Sequence, residues 1–157
     1  MADMLVRLYA LPDPGPALAR ATQQGVQIRR PEPSQRREVV DWVRTTFTPG
    51  WAAECEIAFS FTPAACWIAV RDCAPIGFAC HDCTRRNFFG PAGVDPAARG
   101  LGLGAALTLA TLASMPDAGY AYAIIGGVGP AAFYAKVAGA MPIEGSTPGI
   151  YATTARG

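Results

Sequence analysis

Charge is scarce in this chain of 157 residues: Asp, Glu, Lys and Arg together make up 16%. Lysine occurs once, at Lys136, and histidine once, at His81. The formal net charge is +1, so no global field draws the chain to nucleic acid or to an acidic membrane. Hydrophobic residues reach 51%, yet no uninterrupted apolar run attains the ~18 residues of a membrane span. A secretory leader is not expected either, because "MLVRLYAL" is broken by Arg7 and lacks a basic start. The expectation is a cytoplasmic protein with no nucleic-acid or membrane partner. Its length suits one domain over 1–157 with a real core, residues 1–24 forming an N-terminal extension packed on it.

Paired metal-binding motifs are also missing. The five cysteines, Cys55, Cys66, Cys73, Cys80 and Cys83, are odd in number, which together with the absent leader argues for reduced thiols. "CHDC", Cys80 to Cys83, has no second CxxC to complete a zinc set. On a continuous strand Cys80 and Asp82 would face one way, His81 and Cys83 the other. No metal is therefore expected.

The remaining pattern is that of a mixed α/β chain. Strands are expected in "MLVRLYAL", "VQIRRPEP", "ACWIAVRD", "IGFACHDC", "RRNFFGPAGV" and "GYAYAIIGG". A terminal hairpin is expected to run from "MPIEG" through "STP" to "GIYATTA". Helices are expected in "PALARATQQG", in "SQRREVVDWVRTTF" with Val39, Val43 and Phe47 on one face, in "WAAECEIAFSF", from the glycine-rich segment to about Met115, and in "GPAAFYAKVAGA". Pro91 cannot donate to a ladder, so the strand that carries it should be bulged or partly unpaired. From Leu101 onward only Asp117, Lys136, Glu144 and Arg156 are charged. That third reads as core, or as surface that meets something apolar, such as a second copy in a homodimer.

"RGLGLG", Arg99 to Gly104, stands between a strand and an apolar helix. Helix N-termini present unpaired N–H groups and a positive dipole end, and glycines let an anion approach them. No lysine follows as a P-loop requires, and "DPAAR" separates the glycines from the strand, unlike a dinucleotide fingerprint. Two readings stand at this level: a phosphate cradle, or small residues that permit close helix–sheet packing.

"GVDPAARGLGLGAAL" resembles the acetyl-CoA-binding motif of the GNAT N-acetyltransferase superfamily, Gln/Arg-x-x-Gly-x-Gly/Ala, filled by Arg99, Gly102 and Gly104. "FYAK" about thirty residues later strengthens the resemblance, which spans about Gln27 to Tyr151 through the order of elements. It implies a mostly antiparallel sheet with two splayed strands, flanked by helices, to which this chain adds an N-terminal strand and helix. It implies acetyl-CoA as co-substrate, its pantetheine arm along the backbone of Ala92, Gly93 and Val94. Its pyrophosphate would lie on the N–H groups of Gly100, Leu101, Gly102, Leu103, Gly104 and Ala105, beside Arg99.

The resemblance also implies direct transfer of an acetyl group to an amine, with Tyr134 as the acid for the departing thiolate and an N–H near Val94 for the oxyanion. Glu54, on the helix that borders the acceptor site in this family, is the candidate base, with Glu56, His81 and Asp82 as alternatives. Many relatives carry an asparagine just before the helix of Tyr134, where this chain has "GGVGP". The acceptor is expected to be a small-molecule or peptide amine, with Ser146 or Tyr151 touching it. A CoA-binding regulatory module without transferase activity is the alternative from another class.

Overall fold

A computed structural model describes residues 1–152. Seven strands form one sheet: β1 Met4–Arg7, β2 Gln27–Arg29, β3 Cys66–Arg71, β4 Ala74–His81, β5 Phe88–Val94, β6 Tyr122–Ile125 and β7 Met141–Pro142. Their spatial order is β2-β3-β4-β5-β6-β1-β7. Every neighbouring pair is antiparallel except β5 and β6. The helices are α1 Gly15–Gln23, α2 Arg36–Thr46, α3 Pro49–Ala58, α4 Leu103–Ser114 and α5 Ala131–Ala138. The element order suggested a mixed α/β domain, and the mostly antiparallel sheet is the one that the resemblance implied.

Alternation along β3 and β4 divides the core in two. Cys66, Ile68, Phe78 and Cys80 point to one face, where they pack with Val39, Val40 and Val43 of α2 and with Ala52, Cys55 and Ala58 of α3. Ala69 and Ala79 point to the other, under Leu103, Leu107 and Leu112 of α4 and Ala21 of α1. α4 lies very close to the sheet: a side chain at Gly77 of β4 would meet Leu107 Cδ1 at 2.7 Å. Tight packing suits a helix without a polar face, in which Thr108 and Thr111 are themselves buried.

The N-terminal strand lies inside the sheet. β1 pairs with β6 from Met4↔Ile125 to Arg7↔Tyr122, and on its other edge with β7 at Met4↔Pro142 and Leu5↔Met141. Met4 and Val6 are buried and Arg7 is exposed, the alternation of a half-covered strand. Among the described residues, the C-terminal hairpin expected from the sequence does not form as two strands. Its first limb is the two-residue β7, and Gly149–Tyr151 is a short 3-10 turn. The segment after β7 turns on Ser146, which accepts from the Asp3 N–H and donates to the Ile143 carbonyl, so it closes on the N-terminus instead of returning along the free edge of β7. Residues 153–155 of the expected second limb lie outside the described residues.

Val6 is fully buried, in the same core cluster as Leu103 and Leu107 of α4. Val6→Asp places a carboxylate there without a partner, and urea unfolding should show a loss of more than about 3 kcal/mol. A change within about 0.5 kcal/mol, as at exposed sites, would mean that β1 is not integral to the sheet.

Candidate active site

β5 and β6 are parallel, and they pair only at Phe88↔Ile124 and Phe89↔Ile125. Beyond Phe89, β5 continues to Val94 against β4 alone, while β6 ends. Pro91 sits at this divergence and has no N–H to offer. Asp95 donates its N–H to Ile76 of β4 at 2.9 Å. Backbone alternation therefore turns the N–H groups of Ala92 and Val94 away from β4, towards the opening. The bulged, partly unpaired strand expected at Pro91 is the wall of a split in the sheet.

Two clefts open from the split, one towards α4 and one towards α3. The first, about 560 Å³, is lined by Ala92, Gly93, Val94, Arg99, Gly100, Gly102, Leu103, Gly104 and Ala105 together with Phe133 and Tyr134. These are the cofactor positions assigned from the resemblance, with Leu101 as the exception. Leu101 packs its side chain on the core, and its carbonyl accepts from Gln24 Nε2 at 2.8 Å. Gly100 and Gly102 are left-handed, at φ +83° and +79°, a conformation in which glycine avoids a steric penalty. Gly102 caps α4, and among the described residues no side-chain cap bonds the start of that helix. Its anion-attracting end thus faces the cleft without a competing cap. Arg20 of α1 lies beside it: a side chain at Gly102 would meet the Arg20 guanidinium at 3.3 Å.

The second cleft, about 770 Å³, is lined by Trp51, Glu54, Thr84, Phe88, Gly126–Pro130, Pro148 and Tyr151, among others. Ala92, Pro130 and Tyr134 line both clefts, so Tyr134 stands where they meet. Its ring packs edge-on against Phe89 and Phe133, and burial raises the phenol above its usual value of 10.0. Across the second cleft, Glu54 Oε1 accepts from Thr84 Oγ1 at 2.9 Å. Burial, reinforced by the Asp3 and Glu54 carboxylates, also raises the Tyr151 phenol.

The alternatives to Glu54 lie elsewhere. Glu56 is paired with Arg36 at 2.7 Å on the exposed side of α3. His81 Nδ1 and Asp82 Oδ2 are 2.7 Å apart, and both side chains are buried. Asp82 Oδ1 accepts from the Tyr120 hydroxyl at 2.6 Å and from the Asn87 N–H at 2.8 Å. The alternation expected through "CHDC" ends at His81, because Asp82 is left-handed at φ +59°. His81 and Asp82 therefore meet, and Cys80 and Cys83 join the same core cluster. Ser146 is engaged in the backbone, accepting from the Asp3 N–H at 2.8 Å and donating to the Ile143 carbonyl at 2.6 Å.

Three supporting residues escaped the sequence reading: Gln24 and Arg20 beside the glycine loop, and Asp3, whose Oδ1 accepts from the Gly127 N–H at 2.8 Å. Asp3 and Gly127 are 124 positions apart, and no local spacing marks such a contact.

A family model described as Acetyltransferase (GNAT) family matches residues 36–140. Among solved structures, the chain is similar to a GCN5-related glucosamine N-acetyltransferase region of a fungal multi-domain GH3 β-N-acetylglucosaminidase. The TM-score is 0.73 at 15% identity, over 90% of this chain and 19% of that one. It is also similar to a GCN5-related N-acetyltransferase from Sphaerobacter thermophilus, with a TM-score of 0.66 at 16% identity, over 90% of this chain and 48% of that one. The chain thus spans less than half the length of either, and at these identities the likeness is one of fold. No curated protein matches it.

The two loop glycines should respond oppositely to alanine. Gly102→Ala strains a left-handed residue and should cost about 1–2 kcal/mol in urea unfolding. Gly104 has ordinary space, with Phe133 at 3.5 Å from an added Cβ, and lies within α4, so Gly104→Ala should gain up to about 1 kcal/mol. Equal effects would contradict the loop geometry.

Proposed function

Since the chain belongs to the GNAT acetyltransferase family, we propose that it moves an acetyl group from acetyl-CoA directly to a primary amine of a small molecule or peptide. The observation that carries this reading is the meeting of two clefts at Tyr134, one built of backbone and glycine and the other carrying a carboxylate. The first fits the co-substrate. Its uncapped helix end and left-handed glycines suit a pyrophosphate, and the free edge of β5 suits an extended amide-bearing arm. The second fits an amine with an apolar body, with Glu54 as the one carboxylate among its described lining residues, set between aromatic walls.

The residues then divide the work. Glu54, held by Thr84, orients the acceptor ammonium and takes its proton, directly or through water. The neutral nitrogen attacks the thioester carbonyl, forming the N–C bond as the C–S bond breaks. The Val94 N–H stabilises the negative charge that grows on the carbonyl oxygen. Tyr134 donates its phenolic proton to the departing thiolate. Burial keeps that proton on the phenol throughout the neutral range. Aromatic and glycine walls exclude water from the thioester, and no side-chain nucleophile is required.

Acetyl-CoA should raise the melting temperature, and Tyr134→Phe should lower kcat about 10²–10⁴-fold with little change in acetyl-CoA affinity by calorimetry. An unchanged kcat would remove Tyr134 from the chemistry. Binding without thiol release across amines, amino acids, polyamines and peptides would favour a regulatory CoA-binding module instead.

The pH dependence has a definite sign. Tyr134 acts in its protonated form, which is lost as pH rises through a value above 10.0. The alkaline limb of kcat set by this residue should therefore lie above pH 10.0 and vanish in Tyr134→Phe.

A further inference from the structure

Four of the five cysteines converge away from the cleft, although the chain spaces them across three elements. Cys55 lies on α3 and Cys66 on β3, Cys80 lies on β4, and Cys83 follows three residues later. Cys66 and Cys80 are direct register partners across the β3–β4 ladder, and alternation points both at α3. Cys55 descends onto them from that helix. The sulfurs of Cys55, Cys66 and Cys80 all lie within 4.8 Å of one another, and each residue is 0% exposed. Cys83 is buried in the same core cluster, its thiol on the His81 carbonyl at 3.4 Å. The fifth, Cys73, is exposed in the β3–β4 turn.

We propose that Cys55, Cys66, Cys80 and Cys83 form a structural site for one zinc ion. With Zn–S bonds of about 2.3 Å, tetrahedral ligand sulfurs stand about 3.8 Å apart. The three converged thiols lie no more than about an ångström beyond that spacing, and Cys83, whose sulfur is not part of that group of three, would complete the set by turning from the His81 carbonyl. The thiols hydrogen-bond mainly to one another, Cys55 with Cys66 and Cys80, and Cys80 with Cys83, and Cys66 Sγ also reaches the Trp67 carbonyl at 3.7 Å. The ligand set is all sulfur, since the single imidazole, His81, is engaged with Asp82. Soft thiolates select zinc or copper(I) over magnesium, calcium or manganese, and four of them suit tetrahedral zinc.

Binding forms four Zn–S bonds and releases up to four protons to solvent, with no change of oxidation state. The ion would tie α3 to the centre of the sheet. Cys55 is adjacent to Glu54, so the same tie would fix the carboxylate wall of the cleft. The site stands independently of the proposed acetyl transfer.

The test uses the full chain purified under reducing conditions without chelator. Metal analysis should find about one zinc per chain, against less than about 0.1 in Cys80→Ser. Cys73→Ser should keep its zinc. Because Cys80→Ser can fail to fold, the wild-type protein supplies a second measurement. Stripped with a chelator and titrated with Co²⁺, it should show the sulfur-to-cobalt charge-transfer bands of a tetrahedral thiolate site, saturating at one equivalent. Zn²⁺ should then bleach these bands and raise the melting temperature. Wild-type protein that is metal-free as isolated and neither develops these bands nor gains stability would overturn the proposal. So would a native disulfide among these four residues, read by mass spectrometry.

Discussion

The two-residue pairing of β5 with β6 is the constraint from which the functional geometry follows. Parallel strands pair at Phe88↔Ile124 and Phe89↔Ile125 and then part. Had the ladder continued, the Ala92 and Val94 N–H groups would be consumed within the sheet, and no cleft would reach its middle. Pro91 lies at the bulge of β5 against β4, where the β4–β5 register shifts between Ala79 and His81. The separation is kept open from both sides: α4 begins at the glycine loop beyond β5, and α5 begins at Ala131 beyond β6. Tyr134, one turn into α5, is thereby brought to the place where the halves of the cleft meet.

Packing on the two faces of the sheet supports this opening unequally. On one face α4 approaches until Leu107 fills the space above Gly77, which fixes where the helix end and its unpaired N–H groups point. α1 buttresses the loop through Gln24 on the Leu101 carbonyl and brings the Arg20 guanidinium beside Gly102. On the other face Trp42, Phe47, Trp51 and Phe78 stack in edge-on and tilted contacts, and they seat α3 against the sheet. An added Cβ at Gly93 would meet Phe47 at 2.6 Å, so the aromatic cluster and the bare backbone of β5 require one another. Glu54 owes its place in the cleft to that seating.

Much of the candidate site was legible because its signals are local. Three glycines at fixed spacing, a proline inside an apolar strand and "FYAK" on the following helix each constrain their own neighbourhood. The structure brings these neighbourhoods together in the order expected. Glu54 could be singled out as one carboxylate on a short apolar helix, but its setting could not. Glu56, two positions on, turns outward to Arg36, while Glu54 meets Thr84 across thirty positions. His81 and Asp82 looked like free titratable groups, whereas a left-handed Asp82 folds them onto each other and onto Tyr120.

By itself the sequence determined the alternation of strands and helices, the glycine-lined helix start and the family. Each of these is carried by hydrophobic period or by residue conformation over a few neighbouring positions. Only the tertiary structure decided that the N-terminal strand enters the sheet between β6 and β7, since edge pairing is a competition among distant segments with no local mark. It likewise decided that cysteines at 55, 66, 80 and 83 share one core cluster. A helix docking on a ladder, a register partner across a hairpin and a turn at Asp82 each supply one step of that convergence. None of the three is written in the spacing of the residues they unite.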